Sequence, residues 1–277
     1  MHGRSRFLTV MITLGLAFMY IPLILLVIYS FNNSKLVPVW GGWSTRWYKV
    51  LFESPDVWNA VSLSLKIAFV NATFATILGT LAALAMVRFG RFRGRTLFGG
   101  MLVAPLVMPE IITGLSLLVL FISLQQMFGW PSERGFTTIT IAHITFSLAY
   151  VAVTVQARLT GMGQDLEEAA EDLGAKPFKV LTAITLPRLT PALVSGWLLA
   201  FTLSLDDLVI ASFVTGPGAN TLPILIFSRI RLGLRPDINA LATIIILVVA
   251  SCVAIAALIM YRQHKRDLQD QQMAEKG

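Results

Sequence analysis

Three carboxylates stand inside stretches that are otherwise apolar: Glu110 in APLVMPEIITGLSLL, and the adjacent Asp206 and Asp207 in SLDDLVIASFVTGPGANTLP. A charge at the centre of a bilayer costs about 2.5–3.5 kcal/mol on insertion scales, so ionisable residues there face a protein interior or a pathway. Such acids support two chemistries. Two carboxyls sharing one proton make an intramembrane aspartyl protease. Acids at separate depths instead offset the dehydration of a passing cation while keeping each contact weak enough to release it. Neighbouring helical residues point about 100° apart, so Asp206 and Asp207 cannot share one axis, and the protease reading needs Glu110 to approach one of them. A structural role, an ion pair with Lys66, Arg229 or Arg231, is the third possibility. Other chemistries lack their residues. His2, His143 and His264 are scattered with no H-E-x-x-H, Cys252 is the single cysteine, and no G-x-S-x-G or G-x-x-x-x-G-K-[ST] occurs. His143 reads as a packed or interfacial residue and Cys252 as a small packing residue. The chain therefore has no cradle for ATP phosphates, and no metal or cofactor site is expected in it.

The elements that position these acids are membrane helices. With 56% apolar and 13% charged residues, the chain is too hydrophobic and charge-poor for an ordinary soluble domain. Six stretches reach the roughly 20 residues that cross a hydrocarbon core: 7–31, 61–87, 97–124, 136–159, 193–214 and 240–261. The first has a basic start but an apolar run too long for a signal peptide, and reads as a retained span. Glu110 falls near the middle of the third stretch. The two aspartates fall past the midpoint of the fifth, on its outer side, by about 4 Å or more at 1.5 Å per residue. In the second stretch Ala68, Ala72, Ala75, Gly79 and Ala82 form one stripe of small residues, which predicts close helix packing. Pro105 and Pro109 predict a kink or break in the third. No internal repeat or linker divides the chain, so residues 1–277 read as a single transmembrane domain. The missing repeat also counts against a stand-alone secondary transporter.

With both termini in the cytoplasm, the inner segments carry twice as many lysines and arginines as the outer ones, led by RFGRFRGR over Arg88, Arg91, Arg93 and Arg95. Arg229, Arg231 and Arg235 then lie outside, where they form a solvated face, pair with the acids or meet acidic residues on a docked protein. The first outer loop, 32–60, holds Trp40, Trp43, Trp47 and Trp58, which suit the headgroup level. The loop 161–190 falls inside. There Leu166, Ala169, Ala170 and Leu173 recur at helical spacing, with Glu167, Glu168, Glu171 and Asp172 on the other side. Asp165 and Glu168 have the spacing of a capping box, Gly174 suits a left-handed stop, and Pro177 suits the start of a second helix that ends before Pro187. A helix this short is not stable alone in water. Its low-relief stripe and acidic outer side suit a groove on another protein.

The order Glu168-Ala169-Ala170, three residues, Gly174, nine residues, Ile184, one residue, Leu186-Pro187 resembles the EAA motif of binding-protein-dependent ABC importer permeases, without gap or mismatch. The resemblance covers essentially the whole chain. It implies an all-α integral membrane fold of six transmembrane helices, of the type I importer (maltose/molybdate-like) kind. Glu167, Glu168, Ala169, Ala170, Gly174, Ile184, Leu186 and Pro187 would belong to helices seated in an ATP-binding subunit. The implied partners are a second homologous permease subunit, two ATP-binding subunits that hold ATP and Mg, and a periplasmic or extracellular solute-binding protein. The chain itself would be non-catalytic, in a bacterial inner membrane. The stretches around Glu110 and the two aspartates look especially like polyamine permeases, those of putrescine importers above all, which makes a diamine the expected cargo. Spermidine, thiamine and iron importers share the architecture and stay open as alternatives.

Overall fold

The computed structural model describes residues 6–35, 39–232 and 236–252, with residues 254 and 258. His2, His264, Arg4, Arg235, Arg262, Lys265, Arg266 and Lys276 lie outside the described residues. The described chain is helical, with one isolated antiparallel bridge, Asn32 to Trp43. The helices are α1 (Arg6–Ser30), α2 (Arg46–Phe52), α3 (Pro55–Arg88), α4 (Arg95–Val107), α5 (Glu110–Phe128), α6 (Phe136–Thr160), α7 (Asp165–Asp172), α8 (Pro177–Val180), α9 (Leu186–Asp206), α10 (Val209–Val214), α11 (Leu222–Arg231) and α12 (Pro236–Cys252). Among the described residues, five helices are long and apolar enough to cross a membrane: α1, α3, α5, α6 and the continuous run Pro177–Asp206 that contains α8 and α9. The sixth expected stretch begins as α12, and its remainder lies largely outside the described residues.

Three expected boundaries are corrected. The third stretch is two helices. Pro109 has no N–H to donate and drives the preceding residue out of the helical region, and Met108 is accordingly extended at ψ 137. Pro105 is tolerated inside α4. Glu110 therefore stands at the first position of α5, where an acid favours the helix dipole, and not at mid-span. The fifth stretch starts earlier than expected and stops at Asp206. Asp207 is extended and α10 follows after one more residue. The first outer loop ends at Ser54, since α3 already starts at Pro55.

The chain forms two compact units, one of residues 1–55 and 228–277, the other of residues 56–227. In the first, Asn32 organises the loop after α1: its side chain donates to the Val39 carbonyl and accepts from the amides of Ser34 and Gly41. Trp47 is buried and donates its indole N–H to the Asn32 carbonyl at 2.7 Å, whereas Trp40 and Trp43 stay exposed. Arg229 meets Asp237 at 2.8 Å and reaches Ser54, so this outer arginine is satisfied within its own unit. Cys252 is exposed on α12 and is not a packing residue in this chain.

In the second unit α6 packs against α9, α4 and α10, and α10 packs against α5. The small-residue stripe of α3 is buried as expected, and it faces α6: a Cβ on Gly79 would stand 2.9 Å from the Val151 side chain and 3.1 Å from the Ala152 amide. Gly196 of α9 approaches Val151 from another side. Val151 is thus held between two glycine-bearing helices, and Ala72, Ala75, Val155, Leu159 and Leu189 fill the space around it.

Candidate functional site

Two regions of the second unit carry the residues singled out by sequence. The first is the loop 161–190. Gly174 has φ +85, its N–H reaches the Glu171 carbonyl, and the Ala175 N–H reaches the Ala170 carbonyl. These paired bonds form a Schellman stop, which requires the left-handed residue that glycine supplies without strain. Pro177 begins α8, as expected. The capping box is not formed. Asp165 is already helical, the cap position is Gln164 with no side-chain cap bond, and the Gln164 carbonyl accepts from Glu167 and Glu168 instead.

The second helix does not end before Pro187. It runs through a π turn at Leu181–Thr185, where the Leu186 N–H bonds the Leu181 carbonyl, and continues into α9. The wider turn gives the Pro187 ring room against the carbonyl four residues back, so the proline is accommodated without a break. Ile184, Leu186 and Pro187 therefore lie on the uninterrupted base of a membrane-length helix.

The acids of α7 do not all point outward. Glu168, Glu171 and Asp172 are exposed, as are Ala169, Leu166 and, 90% exposed, Leu173. Glu167 turns inward. Its carboxylate meets Arg88 Nε at 3.0 Å and Nη2 at 3.3 Å, and accepts the Thr185 hydroxyl at 2.8 Å. Both charged side chains are largely covered, at 14% and 13% exposure. Ala170 is half-buried beside it.

The second region is the pair of helix breaks. Asp207 uses its carboxylate on three donors: His143 Nε2 at 3.0 Å, and the amides of Ile210 and Ala211 at 3.2 and 2.7 Å, which fixes the start of α10. His143 Nδ1 lies 2.7 Å from Ser204 Oγ. One neutral tautomer satisfies both contacts, with Nε2–H donating to Asp207 and Nδ1 accepting from Ser204. Ser204 and His143 are buried, so this string of groups braces the α9–α10 turn and offers no open nucleophile. Asp206, the last residue of α9, is exposed, and so is Glu110 at the head of α5. Glu110 stands one helical turn before Gly114, where α5 meets α10, since a Cβ on Gly114 would stand 3.3 Å from the Ile210 Cα, and Asp206 precedes Ile210 by four residues across the α9–α10 break. Among the described residues Lys66 takes part in none of the ion pairs, and it borders an apolar groove with Leu65, Phe69 and Phe201. With Asp207 committed to His143 and to backbone, the two-carboxyl centre of a protease is not assembled. The parts sequence reasoning missed, Arg88, Thr185, His143 and Ser204, all act across 18 or more residues of separation.

Residues 75–267 match the family described as binding-protein-dependent transport system inner membrane component. The putrescine transport system permease protein PotI of Escherichia coli (strain K12) is 57% identical over 274 residues, covering 99% of this chain and 98% of that protein. The spermidine/putrescine transport system permease protein PotC of the same strain is 44% identical, covering 89% of this chain and 90% of that protein. Among solved structures, a chain of a bacterial ABC transporter involved in the import of the acidic polysaccharide alginate superposes with a TM-score of 0.71 at 14% identity, over 94% of this chain and 98% of that one. The chain belongs to the family of inner-membrane components of binding-protein-dependent transport systems. It has the type I ABC importer permease fold and is a permease subunit of that class.

Proposed function

We propose that this chain forms one side of the membrane pathway of an ATP-driven polyamine importer, with putrescine as cargo. The observation that carries this reading is the geometry at the α9–α10 break. Asp207 is held by His143 and two backbone amides, which leaves Asp206 exposed at the turn, and Glu110 stands at a second break beside the same helix contact. Two accessible carboxylates suit a cargo with two ammonium groups, and both polyamine permeases found as relatives align over most of the chain. Asp206 and Glu110 take the role of transient cation contacts, and Asp207 that of a brace.

The coupling loop, 161–190, is the seat for an ATP-binding subunit. The exposed Leu166, Ala169, Leu173 and Phe178 offer an apolar surface rimmed by Glu168, Glu171 and Asp172. Gly174 sets the angle between the two halves of that surface, and Ile184, Leu186 and Pro187 continue it into α9. Both compact units act within one permease domain whose termini face the cytoplasm. The chain pairs with a second, similar permease subunit, two ATP-binding subunits that hold ATP and Mg, and an external polyamine receptor. It performs no covalent step itself. Closure of the ATPases on nucleotide opens the path outward, and hydrolysis opens it inward. The test is ATP hydrolysis by the reconstituted complex with putrescine, spermidine, thiamine or ferric ion delivered through the receptor. Stimulation by putrescine is expected, and stimulation by a non-amine alone would overturn the cargo assignment.

A further inference from the structure

Glu167 belongs to the acidic coupling helix, yet its carboxylate is spent inside the chain. It joins three elements at one point: Arg88 at the end of α3, α7 itself, and Thr185 in the π turn at the base of α9. Arg88 also reaches toward the Met162 carbonyl, just after α6. Covalently, α7 hangs between two short links, residues 161–164 after α6 and the left-handed turn at Gly174 before α8, and eight residues are too few for a self-supporting helix. A push on the outer side of α7 would therefore tilt it about these two links unless side chains tied it to the bundle. Room for the tilt exists, since a groove of about 670 Å³ bordered by Leu84, Arg88, Glu167, Phe178, Leu181 and Thr185 opens beside it. The junction has the properties of a tie. It is charge-assisted, it brings a cation or donor to both carboxylate oxygens, and both charged side chains are largely covered, which strengthens each contact.

We propose that the Arg88–Glu167–Thr185 junction is the positioning element that turns movement of α7 into joint movement of α3 and α9, so that the cargo moved per ATP depends on it. This rests on the coupling role proposed above for the loop. Glu168, Glu171 and Asp172 are left free for the partner, and Glu167 serves the chain's own bundle.

The test uses the complete complex of both permeases, two ATPases and receptor in liposomes, and reads radiolabelled putrescine imported per ATP hydrolysed. Glu167→Gln keeps the side-chain size and an acceptor for Thr185 but removes the charge that holds Arg88. The complex is expected to assemble at wild-type yield and to hydrolyse ATP, while the import-to-hydrolysis ratio falls on the order of tenfold, within the range usual for coupling between sites. The double variant Arg88→Glu with Glu167→Arg restores the opposite charges and should recover most of the ratio. An unchanged ratio in Glu167→Gln would overturn the proposal. So would import and hydrolysis falling in parallel with complex yield, which is the mark of a purely structural contact, or a charge swap that recovers nothing. Loss of the underlying coupling role would look different: ATPase subunits would fail to co-purify with the wild-type chain.

Discussion

Replacing Gly174 with alanine isolates one physical quantity. A Cβ at this position meets nothing within 4 Å, so the substitution creates no collision, and its whole cost is the left-handed backbone at φ +85. That cost is roughly 1–2 kcal/mol for a residue with a Cβ, equivalent to about a 5- to 30-fold drop in the ratio of the observed turn to its alternatives. The spans are untouched, so the protein should insert and accumulate normally. Putrescine uptake in a strain lacking its own polyamine permeases should fall with the conformer that supports it, by up to about 30-fold. Asparagine tolerates the left-handed region better than alanine, so the order of uptake should be glycine, then asparagine, then alanine. Radiolabelled uptake normalised to membrane-embedded protein measures this. Wild-type uptake by Gly174→Ala, or asparagine ranking below alanine, would refute the claim that the angle of this turn carries function.

The two aspartates should separate by assay. Asp206→Asn should leave thermal stability unchanged while apparent affinity for putrescine drops on the order of tenfold, the value of one charged contact. Asp207→Asn, which cannot serve three donors with its single acceptor oxygen, should lower stability by about 1–3 kcal/mol in detergent melts. Gly79→Ala forces a methyl group against Val151 and the Ala152 amide and should cost about 1–3 kcal/mol, read by the same melts, whereas Gly100→Ala has open space and should be neutral. Within the first unit, Arg229→Gln removes the 2.8 Å ion pair from the Asp237 carboxylate, 2% exposed, and should destabilise by up to about 3–5 kcal/mol. Arg229→Met with Asp237→Leu should cost less than that single change, as judged by unfolding midpoints.

Features written in local residue chemistry were legible in the sequence. The left-handed Gly174, the start at Pro177, the break at Pro109 and the buried stripe from Ala68 to Ala82 each follow from backbone freedom or side-chain size at a few adjacent positions. Tertiary partners were not legible. Periodicity places Glu167 on the outer side of α7 because it is an acid, but its partner Arg88 is 79 residues away. His143 and Asp207 are likewise 64 residues apart, and nothing near either marks the pairing. Pro187 read as a stop because a proline inside an α-helix removes a bond and crowds a carbonyl. The π turn before it removes the crowding, and no residue type announces such a turn. The boundary at Asp206 was missed for a related reason: the residues after it stay apolar, so hydropathy runs on where the backbone turns.

The uninterrupted helix Pro177–Asp206 has a mechanical corollary. Thirty residues at about 1.5 Å each make a strut of roughly 45 Å, with the Gly174 turn near one end and the acidic Asp206–Asp207 turn at the other. Rocking such a strut by about 5° at its foot displaces the far tip by about 4 Å, more than the reach of a hydrogen bond. If the proposed cargo contact at Asp206 holds, such a rocking would withdraw the acid from an ammonium by geometry alone, with no change in its own charge.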